Sequence, residues 1–387
     1  MEKKDLKKII TEELKQVIGQ IKGDWISKTC IGLTLEGSEH GPQELIRGAE
    51  EAVRDNPMLE VVLIGSQNYG SQLSLNKTGE TLKECHKEME LLLDEGEIDG
   101  AVTLHYDFPI GVTTVGRAIT PGRGREIYIS STTGTSAINR VEAMILNVIY
   151  GVAIAKSHGI KKPTVGVLNI EGGRVVEKAI NDLVRAGYPL QSGISLRSDG
   201  GMVLRGNDLL AGGVDVVVGD SLTGNILVKI FSAFHTGGDY EGIGYGYGPA
   251  TGKGYKTKVA IISRASGAPV VKGAILDMFQ CLRGDYIKKV EDELLKAEKA
   301  GLREIIGKYT ATLAEKKVEP VKQVVTPKPV DEEIPGIDVL MIDDAVVVLL
   351  NEGVYAEACM GCTGPAVRVS QEDKEKALRL LKDKGII

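Results

Sequence analysis

The sequence predicts an α/β protein, and its composition and its order of elements both point to that class. The chain has 387 residues with 48 glycines, while only 4% of the residues are aromatic. That balance suits a protein with many strand-to-helix turns better than an all-β sandwich. Short apolar runs also alternate with segments of helical period along most of the chain. The length allows two large domains, or one large domain with a small appendage.

Charge and cysteine content exclude several classes of function. The net charge is −6 with no basic cluster, which argues against a nucleic-acid partner. Five scattered cysteines are too few for a disulfide scaffold. The charged N-terminus lacks the apolar core of a signal peptide, and no apolar run approaches the roughly 18–20 residues that span a bilayer. We therefore expect a cytoplasmic protein that does not enter a membrane.

The pattern along the chain predicts four regions. Residues 1–28 form an amphipathic helix, since apolar residues recur every three or four positions from Leu6 to Ile21. Residues 29–317 form the α/β domain. Residues 318–336 contain four prolines and predict an extended linker. Residues 337–387 form a small module that is expected to dock on the main domain or on a partner.

Within the α/β domain, apolar runs predict strands and longer periodic segments predict helices. Cys30 lies in the first strand and Cys85 on the apolar face of a helix, so both are expected in the core. The expected strands are 30–35, 60–64, 100–104, 126–130, 164–170, 214–218 and 258–262. The expected helices are 43–55, 81–95, 139–157, 175–186, 270–282 and one long charged helix over about 285–316. In the module, strands are expected at 337–341 and 365–369, and 343–351 is either a helix or a strand.

A strand followed by a polar, glycine-containing turn is the best candidate for an anion site. The run Val214–Val218 leads into Gly219-Asp220-Ser221-Leu222-Thr223-Gly224-Asn225, which opens a helix carrying Lys229. Free N–H groups at a helix start favour a negative ligand. The turn is neither a Walker loop nor a dinucleotide fingerprint, and the plainer interpretation is an ordinary strand-to-helix turn. The hydroxyl-rich run Ser131–Thr135 could also hold an anion, although ordinary helix capping is the better explanation of the run by itself.

Two cysteines near the C-terminus are the candidate nucleophiles. Cys359 and Cys362 lie three residues apart among small residues, and Pro365 prevents a helix from continuing. A turn that directs N–H groups toward a sulfur lowers its pKa and activates it. The pair could instead be idle, or it could be half of a metal site or a redox module. Because a zinc site usually needs four ligands and the other cysteines are expected in the core, no metal is predicted.

The main body resembles the phosphate acyltransferase family of phospholipid synthesis. The resemblance rests on several short matches and on one long block; they are Gly37-Ser38-Glu39 with Pro42, 61–65, 165–170, Gly206-Asn207-Asp208 and, above all, 214–225 with Lys229. It implies a three-layer α/β/α sheet of the phosphate acyltransferase and isopropylmalate dehydrogenase-like type. It also implies phosphate or acyl binding by Asn207, Asp208, Asp220, Thr223, Gly224, Asn225 and Lys229. The first turn departs from that family, since Glu36-Gly37-Ser38-Glu39 stands where the acyltransferases have Met-Gly-Gly-Asp.

With the linker and the cysteine module, the whole chain resembles the component C alpha subunits of glycine/sarcosine/betaine reductase. That resemblance implies a hetero-oligomer with a component C beta subunit and the component A selenoprotein, and with component B by way of the selenoprotein. It implies no bound cofactor, with inorganic phosphate as co-substrate and acetyl phosphate as product. Cys359 would carry the acetyl group and Cys362 would assist it or form a disulfide with it; the two roles could be exchanged. A non-catalytic scaffold remains a further alternative.

Overall fold

A computed structural model describes residues 28–196, 200–315, 325–338, 341–361 and 364–387. The predicted N-terminal helix, most of the first half of the linker and Cys362 lie outside the described residues. The chain divides into two compact units. The first contains the residues up to Asp107 together with Lys229–Ala250 and Lys256–Arg283, and the second contains Phe108–Val228, Thr251–Tyr255 and the remainder from Gly284. The sequence predicts a single domain over 29–317, whereas the contacts separate that region into two units.

The elements alternate in the order expected of an α/β protein. The strands are β1 Thr29–Thr34, β2 Leu59–Gly65, β3 Ser74–Lys77, β4 Gly100–Leu104, β5 Val112–Ile119, β6 Glu126–Thr135, β7 Thr164–Leu168, β8 Gln191–Ser192, β9 Val203–Leu204, β10 Val216–Val218, β11 Gly248–Gly252, β12 Val259–Ile262, β13 Glu332–Pro335, β14 Ala356–Gly361 and β15 Gly364–Val369. The helices are α1 Pro42–Asp55, α2 Leu82–Glu95, α3 Arg140–Ser157, α4 Gly173–Arg185, α5 Gly206–Ala211, α6 Ser221–Ala233, α7 Ala268–Arg283, α8 Tyr286–Lys299, α9 Leu302–Glu315, α10 Ile342–Asn351 and α11 Lys374–Asp383.

The first unit is a layered sheet with helices on both faces. Its strands run in the order β3-β2-β1-β4-β12-β11, and all these neighbours are parallel except β12 and β11. A Cβ on Gly100 would lie 2.6 Å from Met278 of α7, whereas Thr103 accepts or donates a 3.0 Å hydrogen bond with His86 of α2. Because side chains alternate along a strand, α7 and α2 cover opposite faces of β4. Cys85 is buried, as predicted.

The second unit repeats the layered arrangement around the order β5-β6-β10-β7-β8, with β9 beside β7. A Cβ on Gly151 of α3 would lie 3.1 Å from Ser130 Cβ, and one on Gly224 of α6 would lie 3.3 Å from Ile129 Cγ2. Ser130 and Ile129 are neighbours on β6, so α3 and α6 lie on opposite faces of that strand. The α/β class with helices on both sides of a sheet is therefore confirmed.

A small antiparallel sheet forms the C-terminal module, with the order β13-β15-β14. Its core includes Ile334, Leu349, Val367 and Leu381. The ambiguous run at 343–351 is a helix, α10. The sequence predicts a linker up to residue 336, but Glu332–Pro335 pairs with β15 and belongs to this sheet.

Three other expectations were wrong in detail. The hydroxyl-rich run Ser131–Thr135 is the end of β6 rather than a turn. The single helix expected over 285–316 is broken between α8 and α9, where Gly301 adopts a φ of 82° that other residues rarely tolerate. The strand expected at 337–341 is absent among its described residues, because Met341 directly precedes α10.

The module contacts the rest of the second unit through polar groups. Lys178 of α4 donates to the carbonyl oxygens of Gly385 at 2.6 Å and Ile386 at 2.9 Å. The backbone N–H of Arg174 donates to Asp338 at 3.3 Å. These contacts place the chain terminus against α4.

Candidate active site

Asp220 caps the helix that the sequence singled out. It follows β10 and Gly219 and directly precedes α6. Its carboxylate accepts hydrogen bonds from the Thr223 backbone N–H at 3.0 Å and from the Thr223 hydroxyl at 2.9 Å. This is the arrangement of an acidic N-cap, which satisfies one of the helix's unpaired N–H groups.

Gly224 lets the first turn of α6 approach the end of β6. A Cβ on Gly224 would lie 1.7 Å from the carbonyl oxygen of Ser131, a distance that no side chain can occupy. Asn225 adds a second tie, since its side-chain amide donates to the carbonyl oxygen of Thr132 at 3.0 Å. The helix start is therefore held tightly against β6.

Arg140, the first residue of α3, brings a positive charge to the same place. Its guanidinium lies 2.7 Å from the Asp220 carboxylate and 2.7 Å from the Glu171 carboxylate. Burial alone would raise the pKa of Asp220, but the hydrogen bonds from Thr223 and Arg140 outweigh it and hold the pKa below its ordinary value. Asp220 is therefore an anion throughout the neutral range.

Arg140 and Asp220 border a cleft of about 310 Å³ within the second unit. Both polar and apolar side chains line it, so the cleft can accommodate an anionic group beside a small apolar one. The lining residues are Ser131, Thr135, Ala137, Ile138, Arg140, Ala143, Met144, Asn147, Asp220, Ser221 and Leu222.

Asn147 fixes the two polypeptide segments that form the wall of the cleft. Its side chain is buried, accepts a hydrogen bond from the Ser136 hydroxyl and donates to the carbonyl oxygen of Gly219 at 3.1 Å. Ser136 follows β6 and Gly219 follows β10. One buried amide thus sets the spacing between the two strand ends.

The structure brings only part of the predicted site together. Asp220 lines the cleft, whereas Thr223, Gly224 and Asn225 hold the helix cap and its packing and are not among the lining residues. Asp208 is buried, and its carboxylate accepts from the Ser195 hydroxyl at 2.8 Å and from the backbone N–H groups of Leu196 and Arg205 at 2.6 and 2.8 Å. The Asp208 carboxylate thus organises its own loop. Phosphate binding by Asp208 stays a prediction.

Asn207 and Lys229 lie in different surroundings. Asn207 is exposed on α5. Lys229 belongs to the first unit, where its ammonium lies 3.3 Å from the Ser263 hydroxyl and 3.6 Å from the buried carboxylate of Glu241. Their roles in binding stay predictions.

Cys359 lies on β14, a strand at the edge of the small sheet, rather than in a turn. It pairs with Ala366 of β15. Burial raises the pKa of the thiol and the Glu333 carboxylate raises it further, while the Arg368 guanidinium opposes the shift. The lowered pKa that the sequence suggested is therefore wrong for Cys359, because the thiol lies partly buried on a strand and near a carboxylate. Cys362 lies outside the described residues.

Sequence reasoning missed Arg140, Glu171 and Asn147. Arg140 and Asp220 are 80 residues apart, and no local motif signals that they meet. The sequence held one sign of Arg140, because the helix predicted from Asn139 has this arginine in its first turn. A positive residue in its first turn is unfavourable for the helix itself and so requires another reason.

No helix in the described part of the chain is long and apolar enough to cross a membrane.

Comparison with known proteins identifies the class. Residues 29–368 match the model of the family described as "Fatty acid synthesis protein". A phosphate acyltransferase of Acetivibrio thermocellus is 25% identical over 347 residues, which cover 74% of this chain and 97% of that protein. A solved branched-chain phosphotransacylase from Enterococcus faecalis V583 aligns with 66% of this chain and 99% of that one, at 15% identity and a TM-score of 0.45. Because the family model covers most of the chain, the chain belongs to this family.

A more similar relative includes the cysteine module. The glycine/sarcosine/betaine reductase complex component C subunit alpha of Peptoclostridium acidaminophilum is 47% identical over 390 aligned positions, which cover 99% of each chain. The chain belongs to this family of component C alpha subunits.

Proposed function

We propose that the chain transfers an acetyl group from a cysteine thioester to inorganic phosphate, releasing acetyl phosphate, within a glycine/sarcosine/betaine reductase complex. The observation that carries the proposal is the Arg140 guanidinium beside the start of α6, at the border of the cleft. Relatives of this chain named as phosphate acyltransferases support acyl or phosphate transfer in general.

Arg140 and the start of α6 give the cleft the groups that a phosphate ion needs. Arg140 supplies a planar pair of donors, which matches the oxygens of a phosphate. The first N–H groups of a helix have no partner within the helix, and those of Ser221 and Leu222 stand at the favourable end of the α6 dipole. The Ser221 hydroxyl can add a further hydrogen bond, whereas the Thr135 hydroxyl already donates to the carbonyl oxygen of Ala137 at 2.7 Å.

The reaction needs no redox partner at this step. A phosphate oxygen attacks the carbonyl carbon of the acetyl thioester and forms a C–O bond. The C–S bond then breaks, the electron pair leaves with sulfur, and the thiolate takes up a proton. The products are acetyl phosphate and a free thiol. N–H donors at the helix start would stabilise the negative charge that develops on the carbonyl oxygen.

Cys359 is the proposed acyl carrier, with Cys362 as its assisting or disulfide-forming partner, and the two roles could be exchanged. The raised pKa of Cys359 means that the free thiol keeps its proton at neutral pH and stays unreactive until a partner loads it. The proposed partners are a component C beta subunit, the component A selenoprotein and, through it, component B. We place this hetero-oligomer in the cytoplasm, with no bound cofactor.

A second candidate function is plain phosphate acyltransfer from a carrier-protein thioester, without a thioester on this chain. The similarity to the Acetivibrio thermocellus enzyme over 97% of that protein favours it. The two functions differ in whether either cysteine is required.

The test is acyl phosphate formation from an acetyl thioester, followed at increasing phosphate concentrations. We expect Cys359→Ala to abolish turnover, Cys362→Ala to reduce it, and Arg140→Gln to raise the KM for phosphate at least tenfold. Full activity in both cysteine variants would overturn the thioester step and leave the second candidate. Full activity in Arg140→Gln would remove the cleft from the mechanism.

A further inference from the structure

Arg140 is shared between two carboxylates that differ in how firmly they are held. Asp220 is only 18% exposed, and its oxygens also accept both hydrogen bonds of the α6 cap. Glu171 is 45% exposed, and within the described part of the chain its carboxylate contacts Arg140 alone. Asp220 is therefore a fixed partner of the guanidinium and Glu171 is a removable one.

The Glu171 side chain can leave Arg140 at a small cost in free energy, because the backbone beside it does not have to move. It precedes α4, and Gly172, which caps that helix, has a φ of 83°. Gly172 and Gly173 are both buried, so the backbone after Glu171 is anchored while its side chain reaches outward. A half-exposed ion pair of this kind contributes little, typically up to about 1 kcal/mol.

We propose that the Glu171 carboxylate competes with the oxyanion of the substrate for Arg140 and so sets the affinity of the cleft for phosphate. Resting on the function proposed above, this inference assigns Glu171 as a positioning residue. Glu171 accepts from Nη1 of Arg140, one of the donors that a phosphate oxygen would take. Two anions cannot share that donor without mutual repulsion. A phosphate oxygen that takes this N–H therefore displaces Glu171, while Asp220 keeps Nη2 and holds the guanidinium at the border of the cleft.

The need to displace Glu171 from Arg140 also affects which anions bind in the cleft. Arg140 carries one positive charge and pairs with two carboxylates, those of Glu171 and Asp220. A monoanion therefore gains little binding free energy from this guanidinium. Phosphate, which carries up to two negative charges at neutral pH, gains more from the same guanidinium and from the α6 N-terminus. Because both anions bear the same cost of displacing Glu171, the more highly charged one is better able to overcome it.

The experiment compares Glu171→Gln with wild type in two measurements on the full chain. Glutamine keeps the size of the side chain and removes its charge. We expect the KM for phosphate to fall about two- to fivefold with kcat nearly unchanged, which is the factor that corresponds to an ion pair of up to about 1 kcal/mol at 1.4 kcal/mol per tenfold. Calorimetric titration with inorganic phosphate should show the same gain in affinity without any turnover.

Two control variants separate competition from a structural effect. Glu171→Asp retains the charge and should stay close to wild type. Glu298→Gln removes a carboxylate that pairs with Lys253 and Arg303 outside the cleft, and it should leave the KM unchanged. A Glu171→Gln variant whose KM for phosphate is unchanged or raised would overturn the inference.

The outcomes also separate the inference from the proposed function. Wild-type turnover with no effect of Glu171→Gln on phosphate affinity would overturn the inference and leave the function intact. Tighter phosphate binding by Glu171→Gln in a chain that forms no acyl phosphate would overturn the function and support the competition for Arg140.

Discussion

The reactivity of Cys359 depends on two charged side chains across the small sheet. Arg368 lies opposite Glu357 on β14 and opposite Glu333 on β13, and its guanidinium contacts the Glu333 carboxylate at 2.7 Å. Burial raises the pKa of the Cys359 thiol, Glu333 raises it further, and Arg368 lowers it while also pairing with Glu333. Burial and Glu333 therefore keep the thiol protonated, and Arg368 acts against them.

Removing the Glu333 charge should activate Cys359. In Glu333→Gln, the group that raises the thiol pKa is lost and Arg368 is free to stabilise the thiolate, so the pKa falls. We expect severalfold faster alkylation of Cys359 at pH 7 and a rate–pH profile displaced to lower pH, measured by peptide mass spectrometry in a Cys362→Ser background. Glu332→Gln is the matched control, because Glu332 pairs with Lys374 instead. An unchanged or slower rate in Glu333→Gln would show that Glu333 does not govern the thiol.

Single residues were predictable from the sequence where one local pattern contained the whole signal. Asp220 lies in a strand–turn–helix pattern, and the structure does place it at the cleft. Arg140 and Glu171 have no such pattern, because their relation to Asp220 exists only after three separate loops meet. The pKa of Cys359 was misjudged because the sequence shows neither that the thiol is partly buried nor that Glu333 lies close to it in the folded sheet.

At the scale of elements, the junction between β6 and α6 is the most tightly constrained feature of the site. Gly224 is required there by close approach rather than by a special backbone conformation. Any side chain at this position must push the helix start away from Ser131, and Asp220 moves with it.

Gly224→Ala should therefore destabilise the protein and weaken phosphate binding together. Overpacking typically costs about 1–3 kcal/mol, and the 1.7 Å approach to a backbone oxygen places this change at the upper end. Gly307→Ala is the control, since Gly307 lies in α9 with nothing within 4 Å of its Cβ position. When both variants are unfolded by urea, that change should stabilise the protein by about 0.5–1 kcal/mol. Equal stability of the two variants would refute the packing argument.

Element types followed from periodicity, but boundaries did not where tertiary contacts decide them. The run 343–351 is apolar throughout, so period alone could not separate a helix from a strand, and packing on the small sheet selected the helix α10. Residues 332–335 contain a proline and charges and have no strand pattern, yet β15 recruits them by backbone pairing. Such pairing depends on a partner about 35 positions away.

At the scale of the whole molecule, the module that carries Cys359 has its own apolar core and contacts α4 through polar groups. Its sheet and helices bury a continuous apolar cluster. Its described polar contacts with α4 include the two hydrogen bonds from Lys178. The sequence predicted a tethered module that docks, but it could not identify the docking helix, because lysines that bind carbonyl groups resemble any surface lysine.

Lys178→Met should loosen the module and leave its core folded. The two carbonyl oxygens lose a charged donor, and we expect about 1 kcal/mol of lost docking. Hydrogen exchange should therefore be roughly fivefold faster at the end of α11 and unchanged in β15. The control is Lys308→Met. It removes a lysine that pairs with Asp182, which lies in α4 like Lys178, and it should have no effect on α11. Faster exchange throughout the module would instead mean that the contact with α4 is needed for its folding.

The central claim is that an acetyl group on Cys359 is discharged by phosphate. The most direct measurement is the intact mass of the chain after acetylation by a thioester and removal of excess reagent, before and after phosphate is added. We predict an acetyl adduct mapped to Cys359 that disappears on addition of phosphate, with acetyl phosphate appearing in equal amount by ³¹P NMR. An adduct that persists in phosphate, or acetyl phosphate formed while no adduct is ever present on Cys359 or Cys362, would contradict it.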